Sequence, residues 1–329
     1  MITDTGRLGG MDSAAGTAGT NGSRTIDRLA LVLHPRNDVT AAAGRIAAHA
    51  HARGAEVLVR AADAGRVPGA VPVSGADLAA EADAVLSLGG DGTMLGALRL
   101  VADRPVPVLG VHLGNLGFLV EVPLSELDPA LDRLTAGDFV EEPHSALRIT
   151  TNGARHVAFN DLALARHPGR GAVTAALAVN GLRYGYYRSD ALVVATASGS
   201  SAYSYAAGGP LVSPSVGGIV VTPSAPMSGI SRSIVLGETD VLRLELTEGA
   251  GTIALEVDGV GSGDIGPGAV VDIVVQPGAG RVVRLDPATH AQISRVKLSL
   301  LDLPLLPEQL RELLPEEVRR RWEARGGPE

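Results

Sequence analysis

The chain has 329 residues, enough for two domains with ordinary cores, and its 45% hydrophobic and 19% charged content is that of a soluble, folded protein. A net charge of −8 leaves no basic footprint for nucleic acid, and the absence of cysteine excludes disulfides and thiolate sites. No window approaches the ~18 uninterrupted apolar residues of a membrane span, and the start lacks the apolar core of a secretory signal, so a cytoplasmic protein is expected.

Residues 1–25 are mostly Gly, Ala, Ser and Thr and read as a disordered extension. From Ile26 the texture becomes α/β. LALVLH (29–34) reads as a buried strand, 40–53 as an Ala-rich helix ending at Gly54, and AEVLVR (55–60) as a second strand. ADAVLSL (82–88) is a further strand, followed by a glycine turn and a helix over 93–102. VPVLGVHLG (106–114) is a strand and SELDPALDRLTAG (125–137) a helix stopped by glycine. Strands alternating with helices imply parallel βαβ units and a Rossmann-like α/β domain over 26–142. Past Glu142, short strands divided by Gly, Asn-Gly and Pro imply an all-β domain over 143–285. Residues 286–329 carry leucines at helical spacing and are expected to pack back on the first domain, ending in a helical tail.

One lysine, Lys297, stands among 28 cationic side chains, and it lies in no glycine-rich loop. A P-loop of the form GxxxxGK[ST] and the strand lysine of a protein kinase are thereby excluded. Any nucleotide phosphates must meet backbone amides, arginines and a metal instead.

The stretch LSLGGDGTMLGALRL (86–100) breaks an apolar strand with Gly89, Gly90, Asp91 and Gly92. Glycines allow close backbone approach and positive φ, and the helix beginning near Thr93 adds its positive end, so the turn suits an anion. Asp91 or Thr93 capping that helix is the plainer alternative. Gly110, Gly114 and Gly117 in VLGVHLGNLGFLVEV (108–122) form a second glycine turn. The GxGxxG match at Gly261–Gly266 opens no helix and reads as hairpin turns.

In FNDLALA (159–165), Asn160 and Asp161 fall inside an apolar strand; a buried polar pair needs partners, either a sugar diol or a structural turn. In YRSDALVVATASGSSAYSYAAGGPLVSP (187–214), Arg188 and Asp190 precede a strand, and small hydroxylated residues surround Tyr203. These suit a flat heterocycle or ordinary β turns. The eight histidines, His49, His51 and His144 among them, show no metal-ligand spacing and read as structural.

In this order, GGDGT, GVHLGNLGFL, FNDLAL, RSDALVVATASGSSAYSYAAGGP and VVTPSAPMSGISRSIVL resemble the NAD kinase family from about residue 28 to 300. The resemblance implies an α/β nucleotide domain with the GGDGT loop and a β-sandwich domain. It further implies ATP-dependent phosphorylation of the 2′-hydroxyl of the adenosine ribose of NAD, a divalent metal such as Mg2+, and a homodimer or homotetramer. No metal ligand is assigned, and neither nucleic acid nor membrane is an implied partner. By the same resemblance Asp91 is the catalytic base, with Gly89, Gly90, Gly92 and Thr93 as the phosphate-binding loop. Asn160 and Asp161 match the ribose-contacting pair, Arg188 and Asp190 the nicotinamide side, and Ser201, Ala202, Tyr203 and Ser204 the dinucleotide contacts. The sequence departs from the family at Ala191, at Ala197–Ser201, at Met227 and at Asp258-Gly259-Val260, all on the acceptor side. These departures leave another nucleoside or ribosylated metabolite as an alternative acceptor for the same chemistry.

Overall fold

The computed structural model describes residues 25–114, 117–247 and 251–299. Of the extension expected over 1–25, residues 1–24 lie outside the described residues, as do residues 300–329 of the segment expected over 286–329.

The first half contains β1 (Arg28–Leu33), α1 (Thr40–Ala52), β2 (Glu56–Arg60), β3 (Val71–Val73), α2 (Gly75–Glu81), β4 (Ala84–Leu88), α3 (Asp91–Leu100), β5 (Pro107–His112), β6 (Val122–Pro123) and α4 (Leu127–Ala136). Strands β1 to β5 are parallel in the order β3-β2-β1-β4-β5. Alternate strand residues face opposite layers. Leu29, Leu31, Leu86 and Leu109 pack on α1 and α4, whereas Ala30, Val32, Val85 and Val108 pack on α2 and α3. Helix α4 stops at Gly137, whose φ of 71° only glycine adopts freely. Strand β3 and helix α2 fall in a Pro- and Gly-broken stretch for which no element is expected. The signal there is Ser74, whose side chain accepts the Asp77 N–H at 3.1 Å and caps α2.

The second half holds β7 (Val140–Thr151), β8 (Ala154–Ala158), β9 (Asp161–Arg166), β10 (Val173–Val179), β11 (Leu182–Ser189), β12 (Ala191–Thr196), a short helix α5 (Tyr203–Ala206), β13 (Gly218–Ser224), β14 (Ser228–Gly229), β15 (Ile234–Gly237), β16 (Leu242–Leu246), β17 (Ile253–Val257), β18 (Val260–Ile265), β19 (Val270–Arg284) and α6 (Pro287–Ser299). A six-stranded sheet in the order β15-β13-β12-β9-β17-β18 faces a second sheet that includes β10, β16, β19 and β7. Leu162, Val194 and Val221 from one sheet meet Leu177, Leu244 and Ile273 from the other, a sandwich core. The Gly261–Gly266 stretch expected as hairpin turns is mostly strand β18, with Gly263 at φ 115°.

The sandwich is not free-standing. β19 pairs antiparallel with β16 and β7, shifts register between Gln276 and Gly280, and then pairs parallel with β5 at Arg281 and Val282. One sheet of 13 strands therefore runs through both halves. Gly280 is required at the crossing, because a Cβ there would stand 2.7 Å from Phe159 and 3.0 Å from Leu98. The cleft between the halves is thus built on β7 and β19.

Candidate active site

The loop after β4 lies at the carboxyl end of the parallel sheet, where such folds bind ligands. The Gly89 N–H donates to the Val111 carbonyl at 2.9 Å, tying the loop to β5. Helix α3 begins at Asp91, two residues earlier than expected, with Gly90 as its cap residue. None of Gly89, Gly90 and Gly92 has positive φ, contrary to the expectation for this turn. What they supply is room. A Cβ on Gly89 would stand 2.2 Å from Thr93 Oγ1, so Thr93 packs down onto that position. Cβ atoms on Gly90 and Gly92 would meet nothing within 4 Å, which leaves that side of the loop open.

Asp91 is the first residue of α3, and Gly90, not Asp91, occupies the cap position. The Asp91 carboxylate crosses to the second glycine turn. Oδ2 accepts the Phe118 N–H at 2.7 Å, and Oδ1 accepts those of Leu119 and Val120 at 3.0 and 3.3 Å. Gly117 leaves space for this contact, since a Cβ there would be 1.9 Å from Oδ1. The helix-cap alternative therefore fails for Asp91, and the two glycine loops form one unit around its carboxylate.

Across from this unit opens a cleft of about 480 Å³, with Asn160, Ala197, Ser201 and Ala202 on the β-domain side. Glu142 and His144 on β7 and Arg284 on β19 form its back wall, and His290 and Ser294 of α6 line it as well. Arg284 is buried; its Nε donates to Glu142 Oε2 at 2.5 Å and its Nη1 to the Leu119 carbonyl at 2.8 Å. His144 Nε2 approaches Glu142 Oε1 to 2.9 Å without hydrogen-bond alignment. Burial alone would raise the Glu142 carboxyl, but contacts from His144 and Arg284 outweigh it and hold the group far below the usual carboxylate range.

Asp161 is the first residue of β9 and pairs with Ala195, as expected of a strand residue, whereas Asn160 lies just before the strand. Both are gathered by a third carboxylate. Asp258 accepts the backbone N–H groups of Phe159, Asn160 and Asp161 at 3.2, 2.7 and 3.2 Å. The Asp258 side chain is fully buried, and Arg99 Nη1 of α3 meets it at 2.6 Å. Asp161 is buried too. Desolvation first, and the charge of Asp258 next, push its carboxyl up to about 6, against the lowering effect of the Tyr203 N–H.

Not every expected residue reaches the cleft. Ser201 and Ala202 line it, but the Ser204 hydroxyl is buried against Thr222 at 2.9 Å and Tyr203 is largely exposed. Arg188 is exposed on β11, and Asp190 is clasped by Arg166 through bonds of 2.6 and 3.2 Å. Neither is among the residues lining the cleft. His144, read as structural, lines the cleft wall beside Glu142. Sequence reasoning passed over Arg99, Glu142 and Arg284, because single charged residues on ordinary strands and helices carry no local signal. Asp258 did carry one, an Asp-Gly turn after β17 with Asp258 at φ 48°.

Paired glycine loops at the ends of parallel strands, a central carboxylate and a facing β-sandwich without a P-loop define a class of two-domain kinases. The ATP-NAD kinase N-terminal domain matches residues 35–139, and the ATP-NAD kinase C-terminal domain matches residues 159–285. The chain belongs to the NAD kinase family. It is 35% identical over 285 residues to an NAD kinase of Symbiobacterium thermophilum, covering 83% of this chain and 99% of that one. NAD kinase 1 of Streptomyces coelicolor is 31% identical over 268 residues, covering 69% and 73%. Among solved structures, yeast NADH kinase complexed with NADH has the same fold at a TM-score of 0.76 and 22% identity, covering 86% of this chain and 89% of that one. An NAD kinase from Archaeoglobus fulgidus in complex with ATP has a TM-score of 0.61 at 21% identity, covering 82% and 98%.

Proposed function

We propose that this protein transfers the terminal phosphoryl group of ATP to the 2′-hydroxyl of the adenosine ribose of NAD, giving NADP and ADP. The observation that carries the mechanism is the anchoring of Asp91 by three backbone amides at the mouth of the cleft. A carboxylate offers about four acceptor positions, and three are taken here, which leaves one on Oδ2 for a sugar hydroxyl. Asp91 takes the hydroxyl proton as the oxygen attacks phosphorus, and ADP leaves. The anchored carboxylate needs little reorganisation to do so. The open side of the loop at Gly90 and Gly92 receives the donor phosphates with Gly89 and Thr93, beside the positive end of α3.

Asn160 and Asp161 are read as the ribose contacts and Ser201 and Ala202, in the cleft wall, as dinucleotide contacts; Tyr203 and Ser204 next to them, and Arg188 and Asp190 on the nicotinamide side, lie outside the cleft lining, so their roles require the bound dinucleotide to extend beyond it. Among the described residues no group of three or more His, Cys, Asp or Glu side chains gathers to cage a cation. A divalent metal such as Mg2+ would accompany ATP and neutralise charge on its phosphates. The exposed Leu182, Tyr184 and Tyr186 along β11 support self-association as a homodimer or homotetramer, which light scattering on the purified protein tests. No helix among the described residues is long and apolar enough to cross a membrane, and the cysteine-free chain suits the cytoplasm.

The deciding experiment incubates wild type and Asp91→Asn with ATP, Mg2+ and either NAD or a nucleoside panel. NADP formed by wild type and lost by the variant is the expected result. A phosphorylated nucleoside with NAD untouched would overturn the acceptor, and an active Asp91→Asn would overturn the base.

A further inference from the structure

We infer that Arg284, clamped by Glu142, is a positioning residue for the phosphoryl transfer: it fixes the Phe118–Val120 loop whose amides set the place of the Asp91 carboxylate. This rests on the reading of Asp91 as the base.

A guanidinium buried to 2% exposure must find partners for its donors. Arg284 divides them between the Glu142 carboxylate, at 2.5 Å, and the Leu119 carbonyl, at 2.8 Å. The N–H of the same Leu119 donates to Asp91 Oδ1 at 3.0 Å, with the N–H groups of Phe118 and Val120 on either side. Leu119 is thus held at its carbonyl by Arg284 while it holds Asp91 at its amide. A second tie joins the same two segments. Glu121, two residues on, accepts the N–H groups of Leu285 and Asp286 at 3.2 and 2.6 Å. The end of β19 and the loop after the second glycine turn therefore dock as a unit.

The geometry calls for arginine. Its rigid fork presents separate N–H groups to a carboxylate and a carbonyl at once, whereas an ammonium is a single point. Arg284 reaches the loop from the strand shared by both halves of the molecule, so the place of the base is referred to the β domain that faces it.

The test measures kcat and KM for NAD and for ATP in Arg284→Met, Arg284→Lys, Asp91→Asn and the Arg284→Met/Asp91→Asn double variant, with a melting temperature for each. Displacing a reacting group by a fraction of an ångström to an ångström costs about tenfold to a hundredfold, so Arg284→Met should lose that much kcat. Both KM values should stay within about threefold, and Arg284→Lys should fall between wild type and Arg284→Met. The double variant should match Asp91→Asn, because an effect passed through the base disappears with it. Arg284→Met with kcat within about twofold of wild type overturns the inference. So does a double variant showing the product of the two single losses. A raised KM with unchanged kcat also overturns it, since Arg284 would then be a substrate contact. If Arg284→Met does not fold, Arg284→Lys and Glu142→Gln read the same non-additivity with Asp91→Asn. Full activity of Asp91→Asn sinks the base reading itself, and this inference with it, whereas an inactive Asp91→Asn beside an unaffected Arg284→Met sinks only the inference.

Discussion

Arg99 Nη1 lies 2.6 Å from Oδ2 of the fully buried Asp258, and that contact joins the two sides of the cleft. Arg99 sits about two turns beyond Asp91 on the same helix. One end of α3 thus carries a carboxylate that gathers the amides of 118–120. The other end holds a carboxylate that gathers the amides of 159–161. The helix sets the spacing between Asp91 and the 159–161 loop.

Removing Arg99 leaves Asp258 as a buried, unpaired charge. Arg99→Met should therefore destabilise the protein by about 3 kcal/mol, and adding Asp258→Asn should recover part of that loss. The KM for NAD should rise as the 159–161 loop loosens. Chemical denaturation and steady-state kinetics check both, and a loss under about 1 kcal/mol would show that the pair is not structurally important.

Asp161 predicts a specific pH dependence. Its carboxyl, near 6 when folded, is raised from 3.8. The folded chain binds that proton more tightly than the unfolded one, so the stability cost grows from about pH 4 to about pH 6 and is constant above. About two pK units correspond to about 3 kcal/mol. Asp161→Asn should be more stable than wild type at pH 8 by up to that amount, with the gain fading toward pH 4. Because the Tyr203 N–H can still donate to an amide oxygen, the local bond survives. Equal stability of the two proteins at pH 8 would show that the burial cost has been relieved in some other way.

Glu142 predicts the opposite sign. Its carboxyl is held well below 4.5 in the folded state, so it stabilises the protein above that value and the contribution is lost as pH falls below it. Glu142→Gln should melt lower than wild type at pH 7, and the gap should close in strong acid. Solvent reaches part of Glu142, so the effect is screened and smaller than a fully buried pair would give. Thermal melts across pH 2–7 give the answer.

Gly89 and Thr93 make a pair that double substitution can test. Gly89→Ala forces a methyl group to 2.2 Å from Thr93 Oγ1 and should displace the start of α3, with activity falling about tenfold or more. Thr93→Gly removes all three obstructing atoms, Oγ1, Cβ and Cγ2, whereas Thr93→Ala would leave Cβ at 2.6 Å, so the Gly89→Ala/Thr93→Gly double variant should recover activity relative to Gly89→Ala alone. A Gly89→Ala enzyme as active as wild type would mean the loop yields easily.

Much of this protein was legible from its residues in order. Period and punctuation placed β1, β4 and β5, the helices after them, and the change to short strands past Glu142. The glycine loops and Asp91 stood out because glycine beside a carboxylate at a strand end is a local pattern, and local patterns survive in a linear chain. The sequence alone also excluded a P-loop, since one lysine in the wrong place suffices for that. It could not tell what Asp91 touches, because the amides that anchor it come from 27 to 29 residues away. Nor could it show that Asp258 gathers Phe159, Asn160 and Asp161, or that Arg284 reaches Leu119 across 165 residues. Burial decided the rest. A carboxylate or guanidinium taken out of water must be paired, and only the folded chain determines which distant amide, carbonyl or charge is there to pair with it.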